Sequence, residues 1–253
     1  MNAFLNTIIK RLVKLGISAT LLVLVLGAWG MPLVGQSLTG QQLLTKTIQF
    51  HDPGSKWVSA DIHLDLKGER PDGSSSMTQV TIDLMNSFFS SERDREGKKV
   101  RTGIQGDSCF ASIDGRTELT EEEIKSNRAD CATIQRMRDY YIYLYGLPMK
   151  LRDPGTIIDD KVDRTTFNGK EYLVLKVGYE EEVGQHTWLF FIHPETYAME
   201  GYQFYKDEKT KEGEYIYLDG LKDIGGMKLP AIRKWYYVPG DKYLGTDIIE
   251  GGQ

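Results

Sequence analysis

The sequence predicts an α+β protein in which an antiparallel sheet forms most of the fold and two helices pack against it. The first observation is strict alternation of apolar and polar residues in "ADIHLDL" and "TQVTIDL", residues 60–66 and 78–84, which is typical of strands with one buried face. The second is a series of turn signals, about every 8–12 residues, between Val162 and Ile249, as in an all-β sheet or barrel-like fold. The third is a helical period between Thr120 and Tyr145.

Residues 1–36 are predicted to be an export signal. The apolar run Leu15–Val34 follows a basic start made of Lys10, Arg11 and Lys14. A run of about 20 apolar residues can also span a bilayer, so an uncleaved anchor that contacts the membrane is the alternative. The interruption at Gly30-Met31-Pro32 favours cleavage. We therefore expect an exported protein of the periplasm or outer envelope, with residues 37–253 as a single domain.

The domain is expected to begin with a short amphipathic helix. Leu43, Leu44 and Ile48, together with Thr47, form one stripe, and Asp52-Pro53-Gly54 supplies turn residues that end the helix. Beyond the two alternating strands, further strands are predicted at residues 87–95, 98–105 and 108–113.

A single helix of about 25 residues is predicted from Thr120 to Tyr145. Thr120 and Glu123 have the spacing of a capping box, and glutamates fill the first turn, where the helix dipole favours them. Gly146 and Pro148 are expected to end the helix. The inward stripe is predicted to hold Ile124, Cys131, Ile134, Tyr141 and Tyr145.

The strands of the second half are apolar or aromatic on both faces, as in "YLVLKV", "TWLFFI", "EYIYL" and "KWYYV". Asn168-Gly169 predicts a tight hairpin and His193-Pro194-Glu195 a further turn. A sheet with one solvated face does not need two apolar faces. These strands are therefore expected to be covered on both sides by helices, by a partner sheet or by a cavity that holds an apolar ligand.

Cys109 and Cys131 are the two cysteines of the chain. In an oxidising compartment a small, even number of cysteines predicts a disulfide, which here would join the long helix to a strand. Two buried free thiols are the alternative. A catalytic redox pair is disfavoured because the cysteines lack the Cys-x-x-Cys spacing.

The polar residues do not form a recognisable catalytic or metal-binding motif. The sequence has no H-E-x-x-H, no G-x-S-x-G and no glycine-rich phosphate loop. We therefore predict no catalytic residue, no metal and no cofactor, and an enzyme is the less favoured class. The net charge of −5, without a run of basic residues after the first segment, also disfavours nucleic acid as a partner. The histidines, His51, His63, His186 and His193, are expected to be structural or solvated.

The run "YYIYLY", residues 140–145, is the densest group of aromatic residues in the chain. Core packing and the lining of a ligand cavity are both compatible with it, because tyrosine combines an apolar ring with a polar tip. Tyr140 and Tyr143 are expected at the flanks of the helix. The candidate cavity-lining residues are Tyr141, Leu144 and Tyr145 on the helix and Trp188, Phe190 and Trp235 on the strands that they should face.

Five stretches carry a family resemblance that extends over nearly all of residues 37–253. They are "LLTKTIQFHDPGSKW", "MRDYYIYLYGLPMKLRDPGT", "GKEYLVLKVGYEEEVG", "TWLFFIHPETYAMEGYQF" and "KWYYVPGDKYLGTDI". The chain resembles an uncharacterised family of exported proteins of Bacteroidota-type bacteria, a domain of unknown function. This family is similar in architecture to the lipoprotein-carrier fold of the LolA/LolB type.

The resemblance implies a strongly bent antiparallel sheet, an incomplete β-barrel, with an N-terminal helix and one long helix on its concave face. It also implies an apolar cavity, so the leading hypothesis is non-catalytic binding of a lipid or acyl chain in the cell envelope. A structural or partner-binding envelope module with a self-filled core is the alternative, and an envelope hydrolase is a third. No lid-locking residue of the true carriers can be matched in this sequence.

Overall fold

Twelve antiparallel strands form one sheet in the computed structural model, which describes residues 38–207 and 209–253. The predicted export signal, residues 1–36, lies outside the described residues. The helices are α1 (Gly40–His51), α2 (Glu121–Asn127) and α3 (Cys131–Gly146), and two 3₁₀ turns cover Trp57–Ser59 and Met149–Arg152. The strands are β1 (Asp61–Glu69), β2 (Ser75–Asp83), β3 (Phe88–Arg95), β4 (Lys98–Gln105), β5 (Ser108–Ile113), β6 (Thr156–Phe167), β7 (Lys170–Tyr179), β8 (Thr187–Ile192), β9 (Met199–Asp207), β10 (Glu212–Ile224), β11 (Met227–Tyr237) and β12 (Lys242–Gly252).

The sheet consists of two meanders joined by its first and last strands. Its order is β5-β4-β3-β2-β1-β12-β11-β10-β9-β8-β7-β6, so β1 pairs with β12 in the middle of the sheet. The edges are β5 and β6, and α2 and α3 connect them along the chain. No ladder joins the two edges within the described residues, which leaves the sheet open rather than closed into a barrel.

The position of α3 shows how strongly the sheet bends. Tyr141 stacks on Phe89 of β3, whereas the hydroxyl of Tyr143 lies 2.5 Å from that of Tyr179 on β7. These two strands lie eight places apart in the sheet order, which would be about 38 Å in a flat sheet. One helix, about 10 Å across, can reach both strands only from the concave side of a curved sheet. The predicted α+β class, with a bent antiparallel sheet and one long helix, is confirmed.

Local sequence signals set most element boundaries. Thr39 and Gln42 form a capping box that begins α1, and Asp52 ends it by accepting the backbone N–H groups of Lys56 and Trp57. The predicted stripe of α1 is buried. The predicted strands 87–95, 98–105 and 108–113 correspond to β3, β4 and β5, and Asn168-Gly169 turns β6 into β7.

The prediction of one continuous helix from Thr120 to Tyr145 is wrong. Thr120 and Glu123 do form the expected capping box, but α2 ends at Asn127, and Arg128 has a left-handed backbone with φ of 54°. Asp130 then begins α3, because its carboxylate accepts the N–H of Thr133 at 2.9 Å. Within the described ranges, no helix is both long enough and apolar enough to cross a membrane.

A disulfide joins Cys109 on β5 to Cys131 in the first turn of α3, with Cα atoms 5.6 Å apart. The predicted pairing is therefore confirmed. Cys131 is nonetheless exposed rather than inward-facing, and Ile134 is the first residue of α3 that is buried. The bond ties the start of α3 to the edge strand β5.

The two faces of the sheet are covered differently. The concave face carries the main core with α1 and α3. On the convex face, a small cluster of Tyr172, Val174 and Phe191 is extended by Phe167, whose ring stacks on Phe191 at 4.0 Å. No helix or second sheet of the described residues lies over this face. The expectation of cover on both sides is therefore wrong: aromatic rings shield one another, and the hydroxyl of Tyr172 donates to Glu200 at 2.8 Å.

The buried His51 joins the end of α1 to two strands. Its Nδ1 lies 2.5 Å from the carbonyl oxygen of Lys228, and its Nε2 accepts the N–H of Met199 at 2.9 Å. Since Nε2 accepts, the proton must lie on Nδ1, which donates to Lys228, and the ring is neutral. Burial lowers the pKa of His51 to about 4, partly opposed by the hydrogen bond to Lys228 and assisted by the positive charges of Lys228 and Arg233.

Removal of the disulfide should destabilise the fold. We expect the double variant Cys109→Ser/Cys131→Ser to lose about 2–5 kcal/mol of unfolding free energy, since the bond restricts the unfolded chain over a separation of 22 residues. Urea unfolding with and without reductant measures this loss. The reduced wild type should match the variant, and a wild-type midpoint insensitive to reductant would contradict the prediction.

Acid should destabilise the protein through His51. The unfolded imidazole takes up a proton near pH 6.5 and the folded one near pH 4, so the unfolded state binds more protons in this window and stability falls as pH falls through it. The loss should approach about 3 kcal/mol at pH 4.

Urea unfolding of wild type and His51→Gln between pH 7.5 and 4.5 measures this loss, with the exposed His63→Gln as control. Burial raises the carboxyl pKa of Asp247 and of Glu214, so these two groups add stability as the pH falls. They oppose the loss of stability from His51 to the same extent in every variant. Equal slopes for wild type and His51→Gln would disprove the assignment.

Candidate functional site

Helix α3 lies along the concave face and has a pocket on each side. We call the first the β8 pocket; it has a volume of about 570 Å³ and lies between α3 and strands β7 and β8. We call the second the β11 pocket; it has a volume of about 330 Å³ and lies between α3 and strands β1, β2, β11 and β12. Both volumes fall in the range of small-molecule sites, roughly 300–1,000 Å³.

The inner wall of the β8 pocket is aromatic. Tyr143 meets the ring of Trp188 edge-on with centroids 5.4 Å apart, and Trp188 continues into Phe204 at 4.7 Å. Ile142 and Val183 complete the apolar surface. Most of the wall therefore offers dispersion contacts rather than hydrogen bonds.

Polar groups lie mainly at the mouth of the β8 pocket. Lys150 and Asp153 form an ion pair there, with Asp139 nearby on α3. His186 stacks on Phe204 at 5.7 Å, and its buried Nδ1 has no hydrogen-bond partner among the described residues. A ligand acceptor or donor at the inner end of the pocket could satisfy this nitrogen. The pocket is thus apolar in its wall and polar at a few points.

The β11 pocket is smaller and more polar. Tyr141, Tyr145 and Trp235 line it, and the indole N–H of Trp235 donates to Asp247 at 2.8 Å. Burial raises the pKa of the Asp247 carboxyl, opposed by the bond from Trp235 and by the charge of Arg233. Burial also raises the pKa of Tyr141 to about 12 and that of Tyr145 further. These phenols stay protonated at neutral pH, which suits hydrogen bonding and not proton abstraction.

Arg233 fastens the end of α3 to β11. Its guanidinium is 1% exposed and donates to the carbonyl oxygens of Pro230 at 3.0 Å and Leu144 at 3.3 Å. It also lies 4.2 Å from the centre of the Tyr145 ring. A cation at the last turn of a helix is favoured by the helix dipole, and the aromatic face adds a cation–π contact.

The six predicted lining residues do not share one cavity. Leu144 and Phe190 are buried in the core. Tyr141, Tyr145 and Trp235 lie at the β11 pocket, with Tyr145 only 2% exposed, and Trp188 lies alone among the six at the β8 pocket. The helix separates the two groups.

Sequence reasoning missed Tyr143, which it placed at the flank of the helix. Because α3 lies inside a curved sheet, its flank also contacts strands, and Tyr143 packs on Trp188. The dense tyrosine run was the available signal, since tyrosines on several faces of one helix fit a groove better than a flat sheet. A third pocket, lined by four arginines from distant parts of the chain (Arg70, Arg93, Arg95 and Arg128), was also missed.

The histidines and the acidic side chains that the structure describes do not converge on a metal site. His51 is structural, and His63 lies on the exposed face of β1. His193 caps its own turn by accepting the N–H groups of Glu195 and Thr196. Over residues 38–207 and 209–253, no group of three or more His, Cys, Asp or Glu side chains could hold a metal ion.

Comparison with protein families gives a match over residues 20–250, which is most of the chain. The chain belongs to the family of unknown function DUF6503. Among curated proteins, none matches this member of the family.

Solved structures show what this DUF6503 fold is similar to. The LolA superfamily protein NE2245 from Nitrosomonas europaea superimposes with a TM-score of 0.52 at 11% identity, covering 86% of this chain and 94% of that one. A putative outer membrane lipoprotein-sorting protein domain from Vibrio parahaemolyticus gives a TM-score of 0.48 at 8% identity, covering 85% and 92%. The first of these likenesses establishes a LolA-like architecture.

Truncation of Tyr145 should be costly. The ring is buried, stacks on Tyr141 at 6.0 Å and lies against Arg233, so Tyr145→Ala should lose about 3–5 kcal/mol of unfolding free energy. Tyr145→Phe keeps the ring and should lose less than about 1 kcal/mol. Denaturant unfolding of both variants measures the difference. A small cost for Tyr145→Ala would mean that the side chain is not a packing element.

Proposed function

We propose that the protein is an exported envelope protein that binds a lipid or another acyl chain in the β8 pocket without catalysing a reaction. The observation that carries this proposal is a pocket of about 570 Å³ with a mainly apolar wall beneath the long helix. An acyl chain gains affinity by removing its surface from water, at roughly 25 cal/mol per Å². The few polar groups at the mouth can orient the ligand.

The arrangement of polar groups supports a ligand with a polar end. Lys150 and Asp153 already neutralise each other, so the mouth does not demand a charged group. His186 offers a buried nitrogen, and the hydroxyls of Tyr143 and Tyr179 bond to each other at 2.5 Å. A hydroxyl, ester or amide group therefore fits the pocket with a small desolvation cost.

The fold supports the proposal in a general way. The architecture is LolA-like, and α3 leaves room for the β8 pocket on the concave face of the open sheet. The N-terminal signal of residues 1–36, the domain of residues 37–253, the periplasmic or outer-envelope location and the Bacteroidota-type origin are kept as predictions. An envelope protein partner is a further expectation of the same kind.

A self-filled structural or partner-binding module is the second candidate. Leu144, Phe190 and Tyr145 fill the centre of the concave face with their own side chains. If packing of this kind is the role of the tyrosine run, the β8 pocket is a surface cleft with no dedicated ligand.

Binding of an uncharged apolar probe tests the proposal. N-phenylnaphthylamine should bind the wild type and be displaced by dodecanol, an uncharged alkyl competitor. Ile142→Trp should weaken probe binding at least about tenfold, because the added indole occupies the space that a ligand needs. Leu189→Ala is the matched control, since Leu189 lies on β8 but faces the convex side.

The outcomes separate the two candidates. Probe binding that Ile142→Trp weakens and Leu189→Ala preserves supports the β8 pocket. Wild-type protein that binds neither probe nor alcohol would defeat the binding proposal and favour the structural module. Native mass spectrometry of the protein purified from its own envelope then identifies any retained lipid by mass.

A further inference from the structure

Four arginines converge on a pocket of about 500 Å³ at the far side of α3 from the β8 pocket. Arg93 and Arg95 come from the end of β3, Arg70 follows β1, and Arg128 lies between α2 and α3. We call this site the arginine pocket. Hydroxyl groups contribute to its wall, from Ser75, Ser76 and Thr78 on β2. Strand alternation explains part of the arrangement, because Arg93 and Arg95 are two residues apart and point to the same face.

The four arginines of this pocket outnumber the two carboxylates that line it, Asp94 and Glu96. Among the carboxylates that the structure describes, none forms an ion pair within 4.0 Å with any of the four guanidinium groups. Asp94 also lines the pocket, but its side chain is not within ion-pair distance of the four guanidinium groups, and it extends to a smaller neighbouring pocket that holds Glu92 and Lys99. Glu96 lies in the exposed turn after β3, and hydrogen bonds from Ser74, together with the charge of Arg70, lower the pKa of the exposed Asp72. The chain as a whole has a net charge of −5, so a pocket with an excess of arginines is unexpected from composition.

The pocket is partly preorganised. Arg93 donates from Nη2 to the carbonyl oxygen of Asn127 at 3.3 Å, and the side chain of Asn127 is itself held by the carbonyl oxygen of Glu123 at 2.9 Å. Burial lowers the pKa of Arg93, and the charges of Arg95 and Arg128 lower it further. The arginines are therefore close enough to repel one another, and a bound anion would relieve this repulsion.

We propose that the arginine pocket binds a phosphate group, either as a free phosphate compound or as the headgroup of a phospholipid. Guanidinium groups present paired N–H donors whose geometry matches the oxygens of phosphate. The serine and threonine hydroxyls add donors that suit the remaining oxygens. The site is separate from the β8 pocket, and its existence does not depend on binding of an acyl chain there.

Direct binding measurements test this site on the whole mature protein. Calorimetric titration with inorganic phosphate is compared with titration with sodium chloride at matched ionic strength. Sedimentation with phosphatidylglycerol vesicles and with phosphatidylcholine vesicles tests a lipid source of the phosphate. The variant is Arg93→Gln/Arg95→Gln, and the control is Arg101→Gln. Arg101 is an exposed arginine of the neighbouring strand β4 and lies over the ring of Phe110 on β5.

The double variant should weaken phosphate or vesicle binding at least about tenfold, as expected when charged hydrogen bonds are lost, while Arg101→Gln binds like wild type. Binding of inorganic phosphate identifies a free phosphate site, and binding of phosphatidylglycerol vesicles alone identifies a headgroup site.

Without ligand, the double variant should melt at the wild-type temperature or above it, since repulsion between the arginines is removed. If it fails to fold, the exposed Arg70→Gln/Arg128→Gln replaces it. Absence of wild-type binding in both assays, or equal losses in variant and control, would overturn the proposal.

Discussion

Pairing of the first strand with the last holds both halves of the sheet in one bent surface, and the pockets exist only because of this bend. The β1–β12 ladder runs from Leu64–Gly252 to Glu69–Thr246, with a bulge beside Asp65. Gly252 is required at its end, since a Cβ atom there would lie 2.8 Å from the carbonyl oxygen of His63. A bulge increases local twist, and the ladder places the β2–β5 half opposite the β7–β8 half.

The helix inside this bend is fixed at both ends, by a covalent bond at its start and by hydrogen bonds at its end. At the start of α3 the disulfide reaches the edge strand β5, and at its end Arg233 binds the carbonyl oxygen of Leu144. A buried cation is costly to desolvate; two carbonyl oxygens and the face of Tyr145 offset part of this cost, while the buried Nε of Arg233 has no hydrogen-bond partner among the described residues. Apolar contacts fill the space between these two anchors. The helix is thereby fixed while its flanks leave room for pockets.

The two sides of α3 differ in chemistry. The β8 pocket is walled by Tyr143 and Trp188 and carries an internally neutralised ion pair, whereas the opposite side collects Asp247 and then the four arginines. The β11 pocket and the arginine pocket share Arg70, Ser76 and Thr78 in their walls. One curved sheet thus carries a mainly apolar pocket on one side of the helix and a cluster of four arginines on the other. An amphiphilic ligand class is consistent with both.

The sequence by itself determined the local elements of this protein, and the tertiary structure decided the sites. Alternation in β1 and β2, the capping boxes at Thr39 and Thr120 and the Asn168-Gly169 turn depend on neighbouring residues, so they could be predicted. The end of α2 could not, because the Asp130 cap competes with a helical period that continues through it.

Cavity lining depends on which strands the bend brings to α3. Helical spacing placed Tyr141 and Tyr145 on one stripe, and both do lie at the β11 pocket. Only the curvature decided that Tyr143 would meet Trp188, and that arginines from β3 would join Arg70 and Arg128. Periodicity is a property of adjacent residues, whereas a pocket is a property of strands that lie far apart along the chain. The sequence therefore determined the local elements and the fold class. The pairing of β1 with β12, which bends the two halves of the sheet toward α3, decided the pockets.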